Sequence, residues 1–252
     1  LQGRRFLILR TIIVNCLKKR LSVMKNEWIS SLLGLFYPDL CLACSKNLPA
    51  ERNYICISCQ YKLPQTKYHL HKDNPLTERF WGRVGLYSAA SLYHFSKSGR
   101  AQQLIHQLKY EGKQKVGVKL GQLYGSQLKV APLFNSVDII LPVPLHPKKA
   151  HRRGYNQSAL FAKGLSDTMQ RPWLEGLSRI AYTTTQTKKS RLERFENVSQ
   201  AFTVQKRKEL EGKHLLLVDD VITTGATLEA CAHKLLELSG VRLSMATIAI
   251  AS

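Results

Sequence analysis

The chain has 252 residues, room for one large domain or one domain with a small module. Lys and Arg number 38 against 17 Asp and Glu, a net charge of +21, so the surface favours polyanions such as phosphorylated substrates or nucleic acid. Apolar residues make up 44% of the chain, ample for a core, yet no apolar run is long enough to cross a membrane.

Seven basic residues precede Glu27 with no acid among them. Residues 6–9 and 11–17 are mostly apolar, but Arg10 divides them and Lys18-Lys19-Arg20 follows. A signal peptide places its charge before one unbroken apolar stretch and ends in small residues, and this segment does neither. A basic amphipathic helix on a membrane surface is one reading. The expectation adopted is that residues 1–23 are a disordered or non-native extension, with the natural start at Met24.

Between 27 and 37, Trp28, Ile29, Leu32, Leu33, Leu35 and Phe36 recur at helical spacing, and Pro38 stops that helix. Cys41-x-x-Cys44 and Cys56-x-x-Cys59 follow, eleven residues apart. Two such pairs predict one tetrahedral thiolate site closed around structural Zn2+. Disulfides are the alternative, but Cys16 and Cys231 stand alone and no export signal is evident, so the expected compartment is the reducing cytoplasm. The helix and zinc module together span 24–70.

Residues 64–75 read as a polar linker with His69 and His71 as solvated loop side chains. The main domain is expected over 80–252. Residues 83–95 alternate around Val84, Leu86, Tyr87, Leu92, Tyr93 and Phe95, predicting a strand or hairpin. Helices follow over 98–110, ended by Gly112, and over 113–129. A strand over 137–141 runs into a proline-stiffened turn carrying Pro144, Lys148, Lys149, Arg152 and Arg153, and then a helix reaches Met169. The basic cluster at that strand end has the charge to neutralise a pyrophosphate. A strand is expected over 177–183. The polar stretch 184–196, with Gln186, Lys188, Lys189, Arg191 and Arg194, reads as a mobile lid.

The most informative stretch is 215–227. Leu215-Leu216-Leu217-Val218 predict a buried parallel strand that ends at Asp219-Asp220. Thr223-Thr224-Gly225-Ala226-Thr227 then form a hydroxyl-rich turn into a helix over 228–238, and a last strand spans 241–250. Backbone N–H groups and the helix dipole make such a turn an anion site. The carboxylates would repel a phosphate but suit sugar hydroxyls or a divalent cation. The pattern predicts a sugar phosphate.

This loop resembles the fingerprint of type I phosphoribosyltransferases. The resemblance implies that Asp219 and Asp220 meet the ribose hydroxyls of phosphoribosyl pyrophosphate and that Thr223, Thr224, Gly225, Ala226 and Thr227 wrap its 5′-phosphate. From Phe36 onward the chain is similar to the ComF family, bacterial proteins linked to competence for DNA uptake. The marks are the two C-x-x-C pairs, Lys109-Tyr110-x-Gly112, Pro142-Val143-Pro144-Leu145, Arg153-Gly154-Tyr155-Asn156-Gln157, Gln186-Thr187, Arg194-x-x-Asn197 with Ala201-Phe202, and the Asp-Asp loop. Lys188-Lys189 departs from the small residue and Leu that many relatives have there. The resemblance implies an α/β fold: a twisted parallel sheet of the type I phosphoribosyltransferase kind, flanked by helices, behind a small zinc-ribbon module. It also implies Mg2+ held with the ligand, Pro144, Lys148, Arg152 and Arg153 on its pyrophosphate, and Lys188 and Arg194 with the Asp pair in any catalysis. It supplies no acceptor substrate. The competing reading is a non-enzymatic module that binds single-stranded DNA or a competence protein and keeps the ligand site as a sensor.

Overall fold

Six strands are present in the computed structural model, which describes residues 40–48, 54–97, 99–179 and 201–251: β1 Ser88–Phe95, β2 Ile139–Pro142, β3 Leu177–Arg179, β4 Phe202–Val204, β5 His214–Ile222 and β6 Arg242–Ala251. Eight α-helices accompany them among these residues: α1 Ile57–Lys62, α2 Pro75–Glu78, α3 Arg100–Tyr110, α4 Gln114–Val130, α5 Pro147–Arg153, α6 Gln157–Met169, α7 Arg207–Leu210 and α8 Ala226–Leu236. Two compact units divide the chain, Leu1–Cys41 with Ser45–Cys56, and Leu42–Cys44 with Ile57–Ser252. The expected helix over 27–37, the extension 1–23 and the lid 184–196 lie outside the described residues.

In the larger unit, β1, β6, β5 and β2 lie side by side in that order, every pair parallel. Parallel strands need crossovers, and these place helices on both faces. The periodicity follows. Leu215 and Leu217 pack with Leu141, Val143, Leu243 and Met245 on one face. Leu216 and Val218, one residue out of phase, are buried on the other. The continuous apolar run therefore reports a strand covered twice.

On one face, α4 and α6 meet along a glycine seam. A Cβ at Gly121 would overlap the Phe161 carbonyl, and one at Gly164 would overlap that of Val118. At Gly125 it would overlap Thr168 Oγ1. The two backbones are in contact, and no side chain separates them. The pair β3–β4 is a separate antiparallel ribbon, Leu177 opposite Val204 and Arg179 opposite Phe202. The expected strand over 177–183 is thus described only to Arg179.

Three expectations change. Of the strand or hairpin expected over 83–95, the structure has the strand: it starts only at Ser88, is buried on both faces to Tyr93 and pairs parallel with β6. The basic turn is itself helical, because His146 caps the Lys148 amide, Pro147 sits at the first position, and Gly154 closes the helix at φ +75°. His69 is buried against the Tyr124 ring, centroids 5.8 Å apart and nearly perpendicular. The supposed linker folds over the core, and burial, with a smaller contribution from His71, lowers the His69 pKa. His71 is exposed as expected.

Candidate functional site

β5 does not stop at its carboxylates. Asp219 still pairs with Thr247, and the ladder continues through Val221–Ala249 to Ile222–Ile250. The backbone of the acidic pair is therefore held rigidly by β6. Asp219 is half-buried, and its Oδ1 accepts from Ser158 Oγ at 2.7 Å and from the Asp220 amide at 2.8 Å. Asp220 is buried, and its Oδ1 accepts from the Val221 amide at 2.6 Å. Its Oδ2 lies 2.9 Å from the Lys109 ammonium, donated from the last turn of α3. Burial, and then the neighbouring Asp220 charge, raise the Asp219 pKa well above the usual carboxylate range, against the opposing pull of Ser158, the Asp220 amide and Lys109.

A short turn leads from the strand to α8, and a pocket opens there, lined by Asp219 and residues 221–228. Thr223 and Thr224 are exposed, and Thr227 is half-buried. Gly225 takes the N-cap position with φ +85°, so no side chain caps the helix. A Cβ here would also stand 3.0 Å from Phe80, whose buried ring floors the turn. Thr224 Oγ1 reaches the Ala226 amide at 3.4 Å. That engages the Ala226 amide, and the Thr227 and Leu228 amides, which have no intrahelical acceptor, remain as donors among the residues that line the pocket. The acid in the first turn, Glu229, is buried and paired with Arg83 at 2.9 Å, which removes its repulsion toward an anion. Arg79 donates to the carbonyls of Thr223 and Ala251, binding the turn to the end of β6.

The basic turn sits at the same sheet end. β2 pairs parallel with β5, and the Val143 amide donates to Val218 O at 2.9 Å, which sets Pro144 beside the acidic strand end. Asn156 ties the turn shut: its Oδ1 accepts from the Ser158 amide and its Nδ2 donates to Val143 O. Ser158 then reaches Asp219, so the start of α6 joins the two turns. Lys148 and Arg152 are exposed on α5. Arg153 is half-buried, donates to Gln157 at 2.9 Å and lies over the Tyr110 ring. Tyr155 donates to Leu108 O. The basic residues thus share an edge with the Asp pair, and among the described residues none is ion-paired to it.

The ligand atoms of Cys41, Cys44, Cys56 and Cys59 all lie within 4.8 Å of one another. A tetrahedral ion with metal–sulfur bonds of 2.3 Å needs sulfurs about 3.8 Å apart, so the set fits one metal ion. Cys41 and Cys59 are buried, Cys44 and Cys56 half-buried. The first knuckle turns tightly: the Ser45 amide donates to Cys41 O, the Cys41 amide to Lys46 O, and Ser45 takes φ +57°. The Cys56 amide points at Cys41 Sγ, 3.3 Å away, a donor that favours a thiolate there.

The phosphoribosyl transferase domain model matches residues 156–251, the segment holding α6, the acidic loop and β6. DNA utilization protein YhgH of Escherichia coli (strain K12) is 30% identical over 215 residues, 83% of this chain and 89% of that protein. Competence protein F of Haemophilus influenzae is 29% identical over 223 residues, 82% of this chain and 94% of that one. The chain belongs to the ComF family. ComFC of Bacillus subtilis is 28% identical over 209 residues, 81% of this chain and 82% of its own length. An adenine phosphoribosyltransferase structure, 14% identical, covers 59% of this chain and 74% of its own with a TM-score of 0.36. The fold is that of type I phosphoribosyltransferases, a parallel sheet flanked by helices.

The ComF marks fall in definite places. Lys109-Tyr110-x-Gly112 ends α3 against Asp220, and Ala201-Phe202 leads into β4 with both side chains buried. Gln186-Thr187, Lys188, Arg194 and Asn197 lie outside the described residues. Sequence reasoning gave no role to Lys109 or Ser158, which bind the two carboxylates directly. The Lys109 motif was visible, but its contact spans 111 positions of chain, and no local pattern encodes that.

Proposed function

We propose that this chain binds phosphoribosyl pyrophosphate with Mg2+ at the acidic loop and that it serves DNA uptake in the cytoplasm. The carrying observation is the junction, at one strand end, of a carboxylate pair with the N-terminus of a helix whose N-cap residue, Gly225, has no side chain. Carboxylates accept from ribose hydroxyls and repel phosphate, while the amides and Thr hydroxyls of 223–227 do the reverse. A sugar phosphate needs both kinds of partner side by side. Asp219 and Asp220 also provide the hard oxygens that suit Mg2+, which when bound offsets pyrophosphate charge. Pro144, Lys148, Arg152 and Arg153 would take up the pyrophosphate, and Lys188 and Arg194 keep the role that the family resemblance implies.

If the ribose is transferred, bond breaking at its C1 builds positive charge on the ring while pyrophosphate departs. The chain's part would be to orient the ribose through Asp219 and Asp220 and to hold the leaving group on the basic turn. The four cysteines fit structural Zn2+, since a complete thiolate set leaves no open position for catalysis. The DNA-uptake role is supported by the relatives, named as competence and DNA utilization proteins. Among the described residues no helix is long and apolar enough to cross a membrane.

The test is calorimetric titration of phosphoribosyl pyrophosphate with Mg2+ into the protein and into Asp219→Ala/Asp220→Ala. Saturable heat that falls by roughly a hundredfold in affinity in the variant is expected, from two lost charged hydrogen-bond acceptors. A folded, metal-loaded protein that gives no heat would sink the reading.

A second reading, a single-stranded DNA or partner-binding module, is favoured by the +21 charge and by the exposed aromatics Tyr61, Trp81 and Tyr110. Such binding weakens steeply with salt. DNA affinity that is absent, or indifferent to salt, counts against it.

A further inference from the structure

Among the described residues, the Asp pair has one ion-pair partner, Lys109. Lys109 Nζ stands 2.9 Å from Asp220 Oδ2, with both side chains largely shielded, 21% and 12% exposed. This ammonium stands at the carboxylate oxygen that a divalent cation held by Asp220 would need. The backbone behind it is fixed. Tyr155 donates to Leu108 O, and the Arg153 guanidinium lies over Tyr110, so residues on both sides of Lys109 are pinned to the basic turn. Only the four-carbon stem of Lys109 is left to move. Asp220 keeps Oδ1 on the Val221 amide, and Asp219 commits Oδ1 to Ser158 and to the Asp220 amide. Neither of these arrangements depends on where Lys109 points.

We infer that Lys109 is an exchangeable internal counter-ion, which holds the charge of the Asp pair and has to be displaced for a divalent cation to bind there. A bare cation must then compete with an ammonium already in place, and evicting it strands a positive charge in a shielded site. A cation that arrives with a polyanion supplies the evicted ammonium with a new partner. Lys109 thus opposes the metal alone and favours the metal with its anion. The inference rests on the phosphoribosyl reading only for the identity of that anion.

The experiment measures Mn2+ affinity by paramagnetic resonance in the full-length zinc-loaded protein and in Lys109→Met. Phosphoribosyl pyrophosphate is absent in one arm and present in the other. Without it, Lys109→Met is expected to bind Mn2+ at least tenfold more tightly, because a carboxylate has lost its competing cation. Unchanged or weaker Mn2+ binding in a folded variant overturns the inference. A variant that does not fold leaves the decision to trace acylation of the unaltered protein, read by mass spectrometry at Lys109. Acylation several-fold faster at saturating Mn2+ is expected, and a rate indifferent to Mn2+ overturns the inference. The two ideas fail separately. If phosphoribosyl pyrophosphate leaves Mn2+ affinity unchanged in the unaltered protein, the phosphoribosyl reading falls while Lys109 exchange stands.

Discussion

The turns after β2 and after β5 begin at neighbouring strand ends and differ in nearly every other respect. After β5 the charges are negative and shielded, with hydrogen bonds from the Ser158 hydroxyl and the Asp220 and Val221 amides and an ion pair to Lys109. After β2 the charges are positive and largely exposed on a seven-residue helix, with only Arg153 tied down. Each turn carries a glycine at positive φ, but the surroundings differ. Gly154 faces open space, whereas Gly225 sits on Phe80. One turn is built for fixed geometry, the other for charge delivered by side chains that can adapt. That division suits a ligand with a sugar whose hydroxyls need exact placement and a pyrophosphate that needs mainly charge.

The comparison can be broken most sharply at the glycines. Gly225→Ala should cost about 2–3 kcal/mol, combining left-handed backbone strain with a Cβ pressed on a buried ring. A fall of several degrees in melting temperature checks it. A variant as stable as the parent would show that Phe80 yields and that the acidic turn is not rigid. Next in size is an effect at the other end of β5. His214 is buried between Ser136 and Ser244, with hydroxyls 3.0 and 2.8 Å from its ring nitrogens. Burial, then Arg242, push its pKa down to about 4, against smaller upward pulls from Ser136 and Asp138. The unfolded chain therefore binds a proton that the folded one refuses. Stability is fully present above about pH 6.5 and is lost as pH falls toward 4, by about 2 kcal/mol. Denaturant unfolding across that range should flatten in His214→Asn, and an unchanged slope there would refute the assignment.

The smallest effects belong to the basic turn. Gly154→Ala should cost only about 1 kcal/mol, since its Cβ meets nothing. Lys148→Ala/Arg152→Ala should stay within about 0.5 kcal/mol of parental stability while weakening and desalting the response to a polyanion. Equal losses at Gly154 and Gly225 would erase the contrast between the turns.

Much of this was legible in the chain. Four consecutive apolar residues before two carboxylates and a small turn specify a twice-covered strand that turns into a helix, because burial on both faces and the turn chemistry act locally. The end of β5 was misjudged because an acidic pair normally favours solvent. Here Ser158, Lys109 and backbone amides satisfy the carboxylates, and all but the adjacent amides come from distant chain. The helix Pro147–Arg153 had its signals in view, proline at the start and glycine at the end, but the density of charge concealed them. His69 failed for the opposite reason: polar neighbours suggested solvent, and only the packing of Tyr124 shows otherwise.

The glycine seam between α4 and α6 has an implication for how this family can vary. Because the two backbones touch, a single methyl at Gly121 or Gly164 cannot be absorbed by a side-chain rotation, and the helices must part. The same α6 begins at Asn156 and Ser158, which hold Val143 and Asp219. Inherited changes at the seam would therefore act as remote tuning screws on the placement of Val143 and Asp219, and temperature-sensitive alleles that leave both residues unaltered should accumulate there.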